Sequence, residues 1–543
     1  SLMARLDRLQ PFREVAQTAA VIGRSFDHRT IAALAGRPEA VLAEAMDKLV
    51  EAELIFRRGT PPDATYLFKH ALVRDAAYES LLKARRSALH ARLLDVLERQ
   101  GDVAPEVKAQ HAEPAGLTER ALGYWEQAGA EALAKPAYKE AIASFENAIR
   151  LCRALGAAEQ WKRREQALQL QLGQALIANQ GYPAPATLRA FDRALALAEG
   201  IGDPSLQLPA LYGKWAARYV AGADTEDDSR QFLVLAERLS ETGPRVVGLR
   251  LVAMDRFCQG RFTESLALLR EAIAGYDPVA HRDLVSRFGH DPRAAASSYL
   301  SWNLWILGFP DEAARTIHDN GQFLNSIDHV NSKFFARYHH AITDAWLRRP
   351  DRIEATAREL MRVASEMMLP FWHALYQILL GWALSQQGTA SGLPEIEDGV
   401  RRRAQLGANL YQARQAVFVA EAYARAGRYD ESRACIAKVF ASPVPRDFRA
   451  FAGELHRMRA KLMLNAGDDA AAEADLRRAL DISRGQDARS FELRAARDLA
   501  RLLGERGERR QGADLLEPIY AWFTEGFGTA DLIEAKVLLE ELR

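Results

Sequence analysis

Apolar residues in the first hundred positions keep helical spacing, lose it once and then regain it. Leu2, Leu6 and Leu9 share one helical face, and residues 11–23, 27–34 and 38–52 repeat the three-to-four spacing of amphipathic helices. Asp27 stands where the second of these begins, and a carboxylate there accepts from a backbone N–H that the first turn leaves unpaired. Leu54-Ile55-Phe56-Arg57-Arg58 and Thr65-Tyr66-Leu67-Phe68-Lys69 then flank Gly59-Thr60-Pro61-Pro62-Asp63, which predicts two short strands joined by a Gly/Pro turn. Three helices followed by one β-hairpin predict a small winged-helix domain. Further helices over 70–82 and 84–100 lead out of it, and the whole is assigned to residues 1–103.

Beyond residue 103 the strand pattern disappears, and helical segments alternate with Gly, Pro or Asp breaks. Trp125, Gly129, Ala141, Phe145 and Ala148 fall at the spacing of a tetratricopeptide unit, two antiparallel helices in about 34 residues, in which small positions admit close approach and large ones fill the gaps. Ala420, Tyr423, Gly427, Tyr429, Ser432, Ile436 and then Ala460, Gly467, Ala472, Leu476, Ala479 share that register. Weaker copies run through Gly260, Phe262, Ser265, Leu269, Ala272, through Gly308, Pro310, Ala313, Ile317, and through Leu499, Ala500, Gly507, Leu516. Segments 185–199, 351–368 and 371–387 are apolar on one face without the consensus and read as degenerate repeats. The expected architecture is mainly all-α: a tetratricopeptide-like α-solenoid over 104–525, capped by an amphipathic helix within 526–543 through Leu532, Ala535, Leu538 and Leu539. Its concave side, lined by the first helix of each pair, is the expected binding surface for a protein or peptide.

Charge narrows the partners. The 72 Lys and Arg balance the 72 Asp and Glu, which removes the bulk electrostatic argument for nucleic acid or an anionic membrane. The helix that would enter a DNA groove carries Glu39, Glu44, Asp47, Glu51 and Glu53 against Arg37 and Lys48, so phosphates would repel it, although Arg57 and Arg58 on the wing would attract them. Cys152, Cys258 and Cys435 form no C-x-x-C, so neither a disulfide scaffold nor a zinc ribbon is expected, and a reducing compartment fits. No membrane-length apolar run and no signal-peptide pattern occur, and a cytoplasmic location is expected. Ser1 opens inside a helical pattern, as a segment of a longer protein would.

Catalytic chemistry is not expected of this segment, because G-x-x-x-x-G-K-[ST], G-x-S-x-G and H-E-x-x-H are all absent. His339, His340 and Asp344 have a spacing that offers two metal ligands, but adjacent helical residues project about 100° apart, and Phe334, Phe335, Tyr338 and Trp346 surround them as packing; no metal is expected. His281, Asp283, His290 and Asp291 cluster with Arg282 and Arg287 in a loop and read as structural or solvated. Two aromatic groups, Trp302 with Trp305 and Phe371 with Trp372 and Tyr376, are candidates for a ligand groove or, alternatively, for helix packing.

Residues 66–81, from Tyr66-Leu67-Phe68-Lys69-His70-Ala71-Leu72-Val73-Arg74-Asp75 to Leu81, and residues 52–59 before them, resemble the end of the winged-helix domain of signal-transducing STAND ATPases. Gly289-His290-Asp291-Pro292, residues 304–313, Glu454-Leu455-His456-Arg457 and the ending 522–532 extend the likeness, which is to bacterial class III adenylate/guanylate cyclase-like STAND ATPases. The resemblance implies an upstream cyclase domain and an upstream ATPase module that binds ATP or ADP and contacts this segment within one chain. It also implies a role for His70, which resembles the histidine that reaches the β-phosphate of ADP and holds the resting state; Ala71 follows it where those proteins carry Asp. A helix-capping or packing role for His70 remains the alternative. The segment is thus expected to be the regulatory sensor arm of a signalling ATPase, with a stand-alone scaffold or a winged-helix transcriptional regulator as alternatives.

Overall fold

The computed structural model describes residues 12–239, 241–441, 443 and 445–543; the helical face through Leu2, Leu6 and Leu9 lies outside them. Two compact units divide the chain, Ser1–Ala175 and Leu176–Arg543.

In the first unit, α1 (Arg13–Ile22), β1 (Ser25–Asp27), α2 (His28–Ala35), α3 (Glu39–Glu51), β2 (Ile55–Arg58) and β3 (Thr65–Phe68) precede α4 (Ala71–Glu79) and α5 (Lys83–Gln100). Asp27 caps α2 as expected, its carboxylate accepting from the Thr30 N–H at 2.7 Å and the Thr30 hydroxyl at 2.8 Å. The expected hairpin is present, and a third strand that the sequence pattern does not announce joins it: β1 pairs antiparallel with β3, giving the order β1-β3-β2. Three residues are too few to show alternation; what holds β1 is Phe26, buried and stacked on Tyr66 with ring centroids 5.5 Å apart. Val15, Ala19, Ile31, Leu42, Met46, Leu49 and Phe68 complete that core, and Leu89, Leu93 and Leu97 of α5 pack on Val21 and Leu34.

Next come α6 (Pro105–Ala112), α7 (Thr118–Ala134), α8 (Tyr138–Ala154) and α9 (Glu159–Gln180), and the border between the units falls inside α9. The α7–α8 pair carries the strongest repeat signature. A Cβ on Gly129 would lie 2.6 Å from the Phe145 ring, so glycine there lets the two helices close on that ring.

The second unit is an all-α tetratricopeptide-like solenoid. It opens with α10 (Pro185–Ile201) and continues as antiparallel pairs: α11 (Pro204–Val220) with α12 (Glu226–Glu237), then α13 (Thr242–Cys258) with α14 (Phe262–Ala274). After a short α15 (Leu284–Phe288) follow α16 (Pro292–Ile306) with α17 (Pro310–Leu324), α18 (Val330–Trp346) with α19 (Pro350–Glu366), and α20 (Pro370–Gln386) with α21 (Gly392–Gln405). The last pairs are α22 (Gln412–Arg425) with α23 (Tyr429–Phe440), α24 (Phe448–Asn465) with α25 (Asp469–Gly485), and α26 (Arg489–Glu505) with α27 (Arg509–Ala521); α28 (Ala530–Leu542) closes the array through buried Leu532, Ala535, Leu538 and Leu539. The repeat positions act alike from pair to pair. Ser265 donates to the Ala253 carbonyl and Ser432 to the Ala420 carbonyl, each at 2.8 Å, which ties the second helix to the first at a small residue.

This unit winds back on itself, so that first helices far apart in sequence touch: α13 lies against α24 and α16 against α26. The Asn409 N–H donates to the Val220 carbonyl at 2.9 Å, the Ser490 hydroxyl to the Trp305 carbonyl at 2.5 Å, and Arg494 to the Trp346 carbonyl at 3.0 Å. The expected open concave face is therefore largely filled by its own first helices. Among the described residues, no helix is long and apolar enough to cross a membrane.

Candidate functional site

What remains open on the inner side of the second unit is a channel of about 650 Å³, lined by α18, α20, α22, α24, α26 and α28. Trp346, Trp382, Phe418, Phe451 and Phe491 give it apolar walls. The rest of the lining is charged, because residues three and four apart on a helix share a face and these helices present Glu454, Arg457, Lys461 and Arg494, Arg497, Asp498, Arg501 inward.

Deep in the channel the charges are paired. Arg457 is only 4% exposed; it donates to both Glu454 oxygens at 2.9 and 2.8 Å and to Asp498 at 2.9 Å. Arg494 reaches Asp531 at 2.7 Å, and Arg497 meets Asp498 at 3.1 Å and Glu534 at 2.5 Å. Arg348 also binds Asp531, at 2.9 Å. Burial alone would raise Asp498 and Asp531, but the surrounding guanidinium groups outweigh it and hold both below the ordinary carboxylate range, Asp498 the further. Such a network contributes little net stability against an apolar filling, yet removing one member strands the others without water.

One turn further along, the pairing stops. Arg425, Lys461 and Arg501 line the same channel with exposed side chains that make no hydrogen bond or ion pair among the described residues. The charge of Arg457 and the loss of water hold the Lys461 ammonium below its ordinary pKa.

A larger cleft of about 930 Å³ lies against α17, α18 and α19. Its cations are already engaged: Arg337 with Glu359 at 2.7 Å, Arg352 with Asp344 at 3.7 Å, Lys333 with Asp328 at 4.0 Å. The channel, which leaves cations unmatched, is the stronger candidate site.

The aromatic residues singled out in the sequence separate into two environments. Trp302, 0% exposed, donates to the His339 carbonyl at 2.9 Å; Trp305 stacks on Trp346 at 5.0 Å; Tyr376 donates to the Phe334 carbonyl at 2.7 Å. These three are interior packing. Phe371 and Trp372 instead line a cavity of about 60 Å³ with Tyr182, Tyr212 and Tyr411, so the five do not form one groove. His70 is exposed at the N-cap of α4, with no side-chain capping bond. His339 donates from Nδ1 to the Phe335 carbonyl at 2.7 Å and stacks on Phe335, while Asp344 turns to Arg349 and Arg352. In the loop cluster, Asp291 caps α16 by accepting from the Ala294 N–H at 2.8 Å, and His281 accepts at Nδ1 from the Asp277 N–H at 3.0 Å. The channel charges escaped the sequence reading, although the alternating acid and base at three-to-four spacing in 454–461 and 494–501 was their signal.

No protein-family profile matches the chain. An uncharacterized protein of Rhizobium meliloti (strain 1021) is 26% identical over 516 residues, an alignment that takes in 92% of this chain and 50% of the relative. The chain thus spans half the length of the curated relative it matches. Among solved structures, a Rap protein complexed with competence and sporulation factor aligns over 68% of this chain and 99% of its own, with 12% identity and a TM-score of 0.45. A STAND protein with a tetratricopeptide repeat sensor from Pyrococcus horikoshii aligns over 73% of this chain and 62% of its own, with 13% identity and a TM-score of 0.29. Neither alignment is close enough to carry a site across.

Proposed function

We propose that this chain is the regulatory sensor arm of a multidomain signalling ATPase coupled to a nucleotide cyclase. In this reading the solenoid binds a protein, peptide or other ligand, and the helix–strand–helix–helix–hairpin segment, arranged as a winged helix, relays occupancy to the ATPase. The observation that supports it is His70: the stretch that resembles STAND ATPases carries an exposed imidazole at the N-terminus of α4, where backbone N–H groups already favour an anion. There it would meet a phosphate of ADP held by the upstream module. The cyclase and ATPase chemistry, and the ATP or ADP, would belong to that module, and this segment would add no catalysis of its own. A ligand switches such a protein only by its difference in affinity between the resting and active arrangements.

Immunopurification of the native polypeptide, followed by peptide mass spectrometry, tests the reading. Peptides bearing a P-loop on the same chain are expected, and His70→Ala in that chain is expected to weaken ADP retention. A native polypeptide no longer than this one would overturn it and leave a stand-alone scaffold.

A further inference from the structure

The channel contains more positive charge than its own acids neutralise. Arg348, Arg414, Arg425, Arg457, Lys461, Arg494, Arg497 and Arg501 line it, against Glu421, Glu454, Asp498 and Glu534. Glu454, Asp498 and Glu534 are engaged by Arg457, Arg494, Arg497 and Arg348, and Glu421 accepts from the Trp382 indole at 2.9 Å. Asp531, behind the wall, is held by Arg348 and Arg494. Arg425, Lys461 and Arg501, all exposed to the channel's water, form no ion pair among the described residues. Two more donors lack acceptors among the described residues: Nε of Arg414, a side chain 3% exposed, and Nε2 of Gln386, both shielded from water in the channel wall.

These exposed like charges repel one another, an effect that water weakens without removing. Buried donors without acceptors are costly and call for a partner. An anion seated among the three cationic heads would relieve their repulsion. The volume lies within the roughly 300–1,000 Å³ of small-molecule pockets, and the tilted rings of Trp382 and Phe418, with centroids 5.1 Å apart, offer an apolar wall beside the cations.

We propose that the channel binds a small organic anion, its phosphate or carboxylate head held by Arg425, Lys461 and Arg501 and its apolar body lying on Trp382 and Phe418. This names a ligand class for the sensing role above, but the site lies within this chain and stands even if the arm reading fails.

The test uses the purified 543-residue chain. 1-Naphthyl phosphate is titrated by calorimetry and thermal denaturation at fixed ionic strength, beside inorganic phosphate, 1-naphthol and 1-naphthoate. Saturable binding with a raised Tm is expected, at least tenfold tighter for naphthyl phosphate than for phosphate or naphthol alone. Naphthoate binding as tightly would assign a carboxylate head. The double substitution Lys461→Gln, Arg501→Gln is expected to lose at least tenfold in affinity while the free protein keeps or gains Tm, because a repulsion is removed. Absence of saturable binding at millimolar probe, or undiminished binding in the double variant, would overturn the proposal. So would a lowered Tm of the ligand-free variant, which would mark these cations as partners of helix C-termini instead; Arg425→Gln alone provides an independent check of both readouts.

Discussion

Helices α16 and α17 belong to one hairpin and live in different surroundings. Along α16 only Arg293 and Leu300 escape full burial, whereas α17 buries Pro310, Ala313, Ile317, Asn320 and Leu324 along a single stripe. The second helix packs on its neighbours and faces water, as expected of a solenoid; the first is covered again from across the axis, where Ser490 reaches the Trp305 carbonyl. Ser298, Ser301 and Asn303 are tolerated on it because each donates to a backbone carbonyl of its own helix, those of Ala294, Ser298 and Tyr299. The contrast teaches that the first helices form a core shared between distant repeats, so their stability depends on winding as well as on stacking.

The sharpest way to break this contrast is to hollow the inner layer. Trp302→Ala removes a ring in contact with Phe257, Tyr299, His339 and Trp346, and is expected to cost about 3–5 kcal/mol in chemical denaturation. Acid sharpens it next. Burial pushes the His339 imidazole down to about 3, against about 6.5 in the unfolded chain. Below pH 6.5 the unfolded state therefore binds a proton that the folded state refuses, and stability falls towards pH 3 by about 1.4 kcal/mol per pH unit for this residue. His339→Gln is expected to flatten the measured slope by that share. The smallest effect belongs to the outer layer: Glu359→Gln breaks the Arg337–Glu359 pair on α18 and α19 and is expected to cost below about 1 kcal/mol, by the same denaturation assay.

Local pattern made the hairpins legible. Gly129 with Phe145, Ser432 with Ala420, and the stripe of α28 follow from spacing between neighbours, which a linear reading sees. Strand β1 was illegible because its three residues are held by a partner forty positions on, as Phe26 is by Tyr66. The channel was illegible for the same reason at larger scale. Arg457 and Arg497 look like solvated helix charges until stacking of successive first helices brings α24, α26 and α28 around Asp498, Asp531 and Glu534. Trp302 and Trp305 have the composition of a groove, and groups distant in sequence make them core: Tyr411 and Arg414 over Trp302, and Phe491 of the returning α26 over Trp305.

Amide hydrogen exchange on the intact chain, read by mass spectrometry, tests the closed inner layer most directly. Amides of α16, α24 and α26 are expected to exchange only through global unfolding, while those of α17 and α19 exchange orders of magnitude faster through local opening. Equal protection in the two layers, or faster exchange in the first helices, would contradict a core shared across the axis.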